Sequence, residues 1–434
     1  MTHVAVIGAG AAGTMAALHV LRHTDSKTLR LSVIDPDART GPGLPYRTED
    51  PRHLLNVPAG KLSADIGEPL DFVAWLADNS PLSAGPEDYV PRGLFGRYLS
   101  GVFERAGDDR VTRIHRRAVG ARRRGDGISV TLCNGENVYA DAVILAAGPN
   151  NPGTSWAPVW LRDNAVLVGD PWRPGALGDV PDEGDLLLVG TGLTMADLAC
   201  TLRRPGRVLH AISRSGLLPR AHLPKPQSPP VAPTFTLERG RVLERAVRYV
   251  QEVIAAGGDA CAAVDALRPR AGALWTAMTV EEHEKFLRKY RRLWDIHRHR
   301  MAPQTAARID EHIAVGELRT HRAELVDAGA ADPGARVTLS SGEVLDVRAV
   351  INCTGPQYDI TASTDPLWRE MLAGDLVRPG PLNLGLDTDS EGRLSPGDAP
   401  MWALGPLRRG NLWETTAFAE IRAQARELAA LIVS

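Results

Sequence analysis

Two stretches of this 434-residue chain decide its fold: VAVIGAGAAG at Val4–Gly13 and LLLVGTGLTMAD at Leu186–Asp197. Each is an apolar run that breaks at closely spaced glycines and continues with helix-forming residues. Such a run predicts a buried parallel strand, followed by a tight turn and a helix. The free N–H groups and the dipole at such a helix N-terminus favour a pyrophosphate. We therefore predict an α/β fold with two Rossmann-like dinucleotide-binding units.

The first turn has a glycine at each of the three positions that such a unit needs. Gly8 permits the tight turn, Gly10 lets the backbone approach the phosphates, and Gly13 lets the helix lie close to the strand. The next strand, LRLSVID, ends at Asp35, whose carboxylate can accept both ribose hydroxyls of an adenosine and repels a 2′-phosphate. This pattern, at the start of the chain, predicts an FAD site; an ordinary glycine turn is the alternative.

The second turn is less regular, because Met195 stands at its third glycine position and predicts a wider helix–strand separation. The next strand, RVLHAIS, ends without an acid and leads into a serine and an arginine, which can hold a 2′-phosphate. This predicts NADPH rather than NADH, with a solvated surface arginine as the alternative. The predicted contacts are Gly190, Gly192, Thr194, Ser213 and Arg214.

Composition and charge narrow the class of protein. The length of 434 residues suggests two domains, and 44% hydrophobic residues can fill their cores. A net charge of −2 argues against a general nucleic-acid binder. No apolar run reaches the ~18 residues of a membrane span and no signal-peptide pattern opens the chain, so we expect a cytoplasmic protein without a membrane partner. The sequence leaves open whether two copies form a homodimer.

The cysteines are scattered singly, at Cys133, Cys200, Cys261 and Cys353. No CxxC or CxxxxC pair is present to pass electrons to a disulfide, which argues against a dithiol reductase. Cys133 and Cys353 lie in apparent strands, where we expect buried, inert thiols. No group of histidines and cysteines has metal-ligand spacing, so no metal site is predicted.

Two further apolar strands, DAVILAAGP and AVINCTGP, end at Gly148 and Gly355, and we interpret both as returns between the domains. A glycine at the carboxyl end of such a strand lets a cofactor approach the backbone. The strand MWALGP and the helix after it would complete the first sheet. The predicted FAD domain comprises residues 1–180 and 347–434, and the inserted NADPH domain comprises residues 181–346, with a helical insertion at about 236–315.

Several motifs in this order resemble one family. They are GPGLPYRTEDPRHLLNVPAGKLSA (41–64), VGTGLTMAD (189–197), SRSGLLPRAH (213–222), FLRKYRRLWDIHRHRMAP (286–303) and LWETTAFAEIR (412–422). With them the chain resembles the FAD/NAD(P)-binding family typified by the bacterial YdhS proteins. The resemblance implies a glutathione-reductase-like FAD domain with an inserted NAD(P)H domain. It also implies a relation to flavin monooxygenases that hydroxylate amino-acid nitrogens, and to Baeyer–Villiger oxygenases.

Two segments depart from those oxygenases. VLVGDPWRPG (166–175) lacks the histidine of their usual fingerprint, and the Gly-Asp end of many FAD-binding chains is here Gly405-Pro406.

The segment Gly41–Ala64 is the best candidate for the flavin edge. Its prolines and glycines predict an irregular loop, and LLNV in its middle predicts a part buried against the cofactor. Asn56 is the candidate catalytic residue, because its amide can hydrogen-bond the isoalloxazine or a flavin peroxide; a structural asparagine is the alternative. Tyr46 and Ser63 are weaker candidates for substrate contact, with ordinary packing as the default.

A helix predicted over Val280–Met301 has an apolar stripe, which is expected in the core, and a basic face, which is expected in solvent. The stripe comprises Phe286, Tyr290, Leu293, Trp294 and His297, and the basic face comprises Lys285, Arg288, Lys289, Arg291, Arg292, Arg298 and Arg300. If this helix lines the cleft, Arg298 and Arg300 can hold an anionic substrate or the nicotinamide phosphates, with Trp294 as a further substrate contact.

A threonine pair precedes the C-terminal helix, where Thr415 or Thr416 can act as the cap. The dipole of that helix would stabilise a reduced flavin. The predicted FAD contacts are Gly8, Gly10, Gly13, Asp35, Gly148, Trp413, Glu414, Thr415 and Thr416.

The leading hypothesis is a single-component monooxygenase that uses FAD, NADPH and molecular oxygen on a small molecule, by N-hydroxylation or Baeyer–Villiger oxygenation, in specialised metabolism. One alternative is an NAD(P)H dehydrogenase that passes electrons to another acceptor. A third hypothesis is a flavin-binding sensor or scaffold.

Overall fold

The computed structural model describes residues 2–23, 28–223, 228–397 and 399–433. Two parallel five-stranded sheets, each accompanied by a three-stranded antiparallel sheet, form its framework. This confirms the predicted α/β class. None of the helices in these ranges is long and apolar enough to cross a membrane.

The first unit opens with a strand, the glycine turn and a helix. In chain order its elements are β1 (Thr2–Ile7), α1 (Ala11–His23), β2 (Leu29–Ile34), α2 (Gly43–Tyr46), α3 (Asp71–Asn79), α4 (Arg92–Ala106), β3 (Val111–Ile114), β4 (Ala118–Arg124), β5 (Gly127–Leu132), β6 (Asn137–Ala140) and β7 (Ala142–Leu145). Strands β4 to β6 form an antiparallel meander, after which β7 returns to the parallel sheet beside β1.

The second unit repeats this plan. Its strands and first helices are α5 (Val159–Arg162), β8 (Leu167–Val168), β9 (Leu186–Val189), α6 (Leu193–Leu202) and β10 (Leu209–Ser213). The predicted helical insertion then follows as α7 (Val242–Ala255), α8 (Ala260–Leu267), α9 (Ala271–Ala277), α10 (Val280–Lys285), α11 (Arg291–Arg298) and α12 (Pro303–Ala314). The unit ends with β11 (Leu318–Arg322), the meander β12 (Leu325–Ala331), β13 (Gly334–Leu339) and β14 (Val344–Val347), and finally β15 (Ala349–Asn352).

The chain then returns to the first unit through α13 (Pro366–Ala373), β16 (Met401–Ala403) and α14 (Phe418–Val433). The strand orders are β16-β7-β1-β2-β3 and β11-β10-β9-β15-β8, so β16 completes the first sheet as predicted. The predicted domain boundaries at 180 and 347 do not agree with the strand pairing. Both β8 and β15 fall within the predicted FAD domain, but they belong to the second sheet. β8 is only two residues long and carries no recognisable pattern of its own.

The first glycine of each turn lies against the chain that leaves a neighbouring parallel strand, β7 in the first unit and β15 in the second. Gly8 has a φ of +103°, and a side-chain carbon there would lie 2.4 Å from the carbonyl oxygen of Ala146. Gly190 has a φ of +109°, and its side-chain carbon would lie 2.4 Å from the carbonyl oxygen of Cys353. Positive φ and the close backbone contact both require glycine. The two units therefore share one local geometry.

The third position of each turn differs as the sequence indicates. A side-chain carbon at Gly13 would lie 1.8 Å from the carbonyl oxygen of Gly8, so no other residue fits there. At the corresponding place in the second unit, the Met195 side chain is fully buried in the core that the second sheet forms with α6.

The thiols are placed mostly as predicted. Cys353 lies directly after β15 and is buried, and its burial raises the pKa of the thiol. The pKa of Cys200, on α6, is raised by burial to about 11. The prediction for Cys133 is wrong: this residue lies in the turn after β5 and is exposed.

The long helix predicted over Val280–Met301 is interrupted by a π-helical turn at Phe286–Tyr290. A π turn inserts one extra residue, which rotates every later position about the helix axis. Leu293, predicted in the core, is therefore 44% exposed, whereas Arg298, predicted in solvent, is buried. The predicted stripe holds for Phe286, which is buried, and for Tyr290 and Trp294, which are partly buried against the same core, but not for Leu293.

We expect the contact of Gly190 with the backbone to be essential for stability. Gly190→Ala should lower the free energy of unfolding by about 3 kcal/mol or more, because positive φ and a steric clash act together. Gly206→Ala is the matched control, since Gly206 has a φ of +76° but no atom within 4 Å of a side-chain carbon. It should cost only about 1 kcal/mol, from backbone strain alone. Equal losses in urea unfolding would contradict this interpretation.

Candidate cofactor and substrate site

The carboxylate of Asp35 lies at the carboxyl end of β2, against the first glycine turn. Its Oδ2 accepts a hydrogen bond from the Ala9 N–H at 2.7 Å, and its Oδ1 accepts one from the Asp37 N–H at 2.8 Å. The Asp35 carboxylate is thus hydrogen-bonded directly to the turn. An adenosine ribose bound over that turn would contact it. Gly148 lies three residues after the end of β7, the strand on the other side of β1, and has a φ of +74° and no atom within 4 Å of a side-chain carbon. That space suits a close approach by a cofactor, as the sequence predicts.

The loop 41–64 passes directly over the first turn. The Gly41 N–H donates to the carbonyl oxygen of Ala9 at 2.8 Å, and a side-chain carbon at Gly10 would lie 3.1 Å from the Cα atom of Gly43. The loop is irregular apart from α2 and a 3-10 turn at Ala59–Lys61. It is anchored in the first core by Leu55, which is buried. The loop therefore combines close contact with the predicted cofactor site and a fixed position.

Asn56 lies on this loop and is held through its backbone. Its carbonyl oxygen accepts a hydrogen bond from His222 Nε2 at 2.9 Å. Burial and the charge of Arg300 lower the pKa of His222 to about 4, so this imidazole is neutral at pH 7. The ring of Tyr89 lies 5.4 Å from the His222 ring. Within the described residues the Asn56 amide group itself has no hydrogen-bond partner, which leaves it available to a ligand.

The two weaker candidates on this loop differ in their surroundings. Tyr46 packs edge-on against Phe95, with ring centroids 5.0 Å apart, and burial raises the pKa of its hydroxyl to about 12. Its hydroxyl therefore stays protonated. The Ser63 hydroxyl is fully buried and lies 2.8 and 2.7 Å from the carbonyl oxygens of Asp65 and Glu68. These contacts favour the packing role for Ser63, and we leave it out of the proposed site.

At the second turn, Ser213 and Arg214 lie where β10 ends. The Ser213 hydroxyl is 2.8 Å from the Thr191 hydroxyl and accepts from the Gly216 N–H at 3.0 Å. Arg214 is exposed and has no partner among the described residues. Sequence reasoning missed Arg322, which ends the neighbouring strand β11 and is paired in register with Ser213. Arg322 is also exposed, so two guanidinium groups lie at the place predicted for a 2′-phosphate.

Arg292 is a second residue that the sequence did not reveal. Its Nη2 donates to the carbonyl oxygen of Thr191 at 3.1 Å and to the Thr191 hydroxyl at 3.0 Å, and it also donates to the carbonyl oxygen of Leu217. Burial lowers the pKa of Arg292. The prediction that Arg292 lies in solvent is therefore wrong. Its hydrogen bonds instead connect the helical insertion with the second glycine turn.

The turn itself stays accessible. A side-chain carbon at Gly192 would meet no atom within 4 Å, and Thr194, in the first turn of α6, is only partly buried. This open N-terminus of α6 suits a pyrophosphate.

The segment 413–416 connects the C-terminal part of the first unit with the helical insertion. Glu414 accepts from Trp294 Nε1 at 3.1 Å and from Arg298 Nε at 3.0 Å. The Arg298 and Glu414 side chains are 7% and 9% exposed. The structure thus brings together three predicted contacts. Arg298 and Glu414 form a buried ion pair, and Trp294 is hydrogen-bonded to Glu414. Arg298 is therefore already neutralised by Glu414.

The capping role predicted for the threonines is not what the structure has. α14 begins at Phe418, and the Thr415 hydroxyl instead donates to the Gly405 carbonyl oxygen at 2.9 Å. Gln424 Nε2 donates to the same hydroxyl at 2.9 Å. Thr416 lies one residue before the N-cap position of α14. This network fixes the turn of Gly405-Pro406.

Arg300 is also engaged by a carboxylate. Its Nη2 lies 2.6 Å from both carboxylate oxygens of Asp265, on α8. Neither of the arginines predicted to hold an anion, Arg298 or Arg300, is thus free to do so without losing its partner.

Polar contacts join the two units beside the loop 41–64. Arg92 forms a buried ion pair with Asp197 of α6. The Thr201 hydroxyl, also on α6, donates to Asp50 Oδ2 at 2.7 Å and lies 2.8 Å from His53 Nε2. These contacts hold α6, the helix predicted to bind phosphate in the second unit, against the first unit.

Comparison with known proteins bears on the fold and on the class of cofactor. Residues 5–150 match the family model described as FAD-NAD(P)-binding. Residues 5–150 are therefore similar to an FAD-NAD(P)-binding domain. The predicted FAD and nicotinamide dinucleotide, and the resemblance to an FAD/NAD(P)-binding family, are confirmed at this level. No sequence among the curated proteins matches the chain.

Solved structures share the fold over the full chain. The ornithine N-hydroxylase of Kutzneria sp. 744 is 15% identical with a TM-score of 0.66, covering 100% of this chain and 99% of its own. The L-lysine 6-monooxygenase of Pseudomonas syringae is 16% identical with a TM-score of 0.65, at 100% and 99% coverage. The bacillithiol disulfide reductase of Bacillus cereus is 14% identical with a TM-score of 0.57, at 99% and 98% coverage. The predicted architecture of two dinucleotide-binding domains is confirmed.

We expect the Glu414 ion pair to stabilise the junction strongly. Glu414→Gln leaves Arg298 buried without a charged partner and should lower the free energy of unfolding by about 3 kcal/mol. Glu414→Gln combined with Arg298→Met removes both charges and should recover most of that loss. Asp346→Asn is the control, because the Asp346–Arg336 pair is exposed and its loss should leave urea unfolding nearly unchanged. Additive losses in the double variant would contradict this account.

Proposed function

We propose that the chain is a single-component, NADPH-dependent FAD monooxygenase that oxygenates a small molecule, with N-hydroxylation favoured over Baeyer–Villiger oxygenation. The observation that carries the proposal is the placement of two different dinucleotide turns in one chain. The first is followed by the carboxylate of Asp35, and the second by the exposed guanidinium groups of Arg214 and Arg322. An acid selects an unmodified ribose, whereas two cations select a 2′-phosphate.

The preference for nitrogen is supported by the structures that share the fold. An ornithine N-hydroxylase and a lysine monooxygenase align over the whole chain, with higher TM-scores than the disulfide reductase. The cysteines also argue against disulfide reduction, because no disulfide joins the described residues and burial raises the pKa values of the Cys200 and Cys353 thiols. Neither thiol is therefore primed as a thiolate.

The residues divide the work as follows. The N-termini of α1 and α6 bind the two pyrophosphates, and Asp35 binds the adenosine ribose of FAD. When bound, FAD supplies hydride acceptance and oxygen activation. The loop 41–64 excludes water from the flavin edge, while the unpartnered amide of Asn56 donates a hydrogen bond to the oxygen that reacts there. His222 positions this amide through the Asn56 carbonyl oxygen. No catalytic acid–base pair is needed for such chemistry.

The preference for NADPH depends on the two exposed arginines. Arg214→Ala should raise the KM for NADPH by about 10-fold to 100-fold, the effect of one charge-assisted bond to phosphate. The KM for NADH should change by less than about threefold. Arg319→Ala is the control, since Arg319 is exposed on the same strand as Arg322 but nearer its amino end. Equal effects of Arg214→Ala on both nucleotides would refute the phosphate assignment.

Oxygenation can be separated from its alternatives without a known substrate. After anaerobic reduction by NADPH, stopped-flow mixing with oxygen should show a spectral intermediate distinct from both reduced and oxidised flavin. Asn56→Ala should shorten the lifetime of this intermediate by about tenfold or more, because one hydrogen bond to it is lost. The rate of reduction by NADPH should be unchanged. Asn79→Ala, on the exposed end of α3, is the control.

Other outcomes favour the rival functions. Direct reoxidation without an intermediate would favour the dehydrogenase, and failure of NADPH to reduce the flavin would favour the sensor. Protein that cannot take up FAD would contradict all three hypotheses.

A further inference from the structure

We propose that Arg409 anchors an anionic group, a carboxylate or a phosphate, of the molecule that is oxygenated. The inference depends on the proposed function only for the identity of this molecule as a substrate. Anion binding at Arg409 can be tested on its own.

Arg409 is a buried cation between two aromatic rings. Only 6% of the residue is exposed. The centre of its guanidinium lies 4.7 Å from the ring centroid of Tyr358 and 4.2 Å from that of Trp413. Its Nη1 donates to the Tyr358 hydroxyl at 3.2 Å, while its Nε is buried and has no hydrogen-bond partner. The two rings fix the plane of the guanidinium but leave its donors incompletely used.

Arg409 has no ion-pair partner in the part of the chain that the structure describes. Two nearby arginines do have one: the buried Arg298 is paired with Glu414 at 3.0 Å, and the partly buried Arg268 is paired with Glu420 at 2.6 Å. Among the described residues no carboxylate lies within 4.0 Å of Arg409. Because an unpaired charge is costly to bury, an anionic ligand bound to Arg409 would supply a favourable counter-charge. The ring faces attract the cation but do not cancel its charge.

The surroundings favour an anion for a second reason. Burial, reinforced by the charges of Arg298, Arg409 and Arg268 and opposed by that of Asp295, lowers the pKa of His299 to about 4. This histidine is therefore neutral at pH 7, and these guanidinium groups share one environment. Two more buried donors without partners belong to the same group of side chains, Trp413 Nε1 and Arg298 Nη2.

The position of Arg409 connects it with the flavin site. It follows the 3-10 turn Gly405–Arg408 and precedes Trp413, and a side-chain carbon at Gly405 would lie 3.5 Å from the Ala12 side chain of α1. Tyr358 comes from the chain that leaves β15, the last strand of the second unit. The anchor therefore lies where the two units meet, beside the segment predicted to contact FAD. It takes over the role that the sequence assigned to Arg298 and Arg300, both of which are already paired.

The test uses the FAD-loaded protein and matched probes. Isothermal titration calorimetry should detect benzoate or inorganic phosphate binding, with benzamide, the neutral analogue of benzoate, bound at least tenfold more weakly. A benzoate response assigns the site to a carboxylate, and a phosphate response assigns it to a phosphate. Arg409→Gln should weaken binding of the preferred anion by tenfold or more. Arg113→Gln is the control, because Arg113 also stacks on an aromatic ring, that of Phe103, but on β3.

Thermal unfolding separates anion binding from a structural role. Without anions Arg409→Gln should unfold at the same temperature as the wild type or higher, because it removes an uncompensated buried charge. The anion should raise the unfolding temperature of the wild type but not that of Arg409→Gln. Arg409→Lys should keep part of the anion affinity.

Three results would overturn the proposal. The wild type binds neither benzoate nor phosphate more tightly than benzamide; Arg409→Gln unfolds at a clearly lower temperature with anion binding unchanged; or Arg409→Gln loses FAD, which would assign the cation to the cofactor. A failure of the proposed function would appear instead in the stopped-flow experiment, which contains neither benzoate nor inorganic phosphate.

Discussion

The structure depends on one backbone contact, made once in each unit. A glycine with positive φ lies against a carbonyl oxygen in the chain leaving the neighbouring parallel strand, Ala146 for Gly8 and Cys353 for Gly190. The contact sets each phosphate-binding turn at the carboxyl ends of its strands, beside the point where the strand order reverses. Everything proposed for function follows from that placement, because it also fixes where Asp35, Arg214 and Arg322 lie.

The fold could be predicted from the sequence because its signals are local. Apolar runs that end at glycines identify parallel strands, and the acid at Asp35 lies one strand later in both sequence and space. The failures are also local in origin. β8 is too short to show a pattern, so the boundary predicted at residue 180 does not separate it from the first domain. The π turn at Phe286–Tyr290 changes the helical periodicity on which the prediction of a buried Leu293 depended.

The site was only partly predictable, because most of its contacts join residues far apart in the chain. Nothing near Arg298 indicates that Glu414, 116 residues later, neutralises it, and nothing near Arg300 points to Asp265. Conversely, the neighbours of Arg409 in the sequence do not show that it is buried without a carboxylate. Arg322 came closest to being predictable, because it ends the strand directly beside the one that carries Ser213. Ion pairing thus occupies Arg298 and Arg300, which the sequence suggested as anion-binding residues, and leaves Arg409 as the candidate.

The central claim is that the two turns hold different dinucleotides in a fixed arrangement. A crystal structure with FAD and NADP⁺ tests it most directly. The account predicts the FAD pyrophosphate over residues 8–13 with its adenosine ribose on Asp35, and the NADP⁺ 2′-phosphate between Arg214 and Arg322. An exchange of the two nucleotides, or a 2′-phosphate bound away from both arginines, would contradict it.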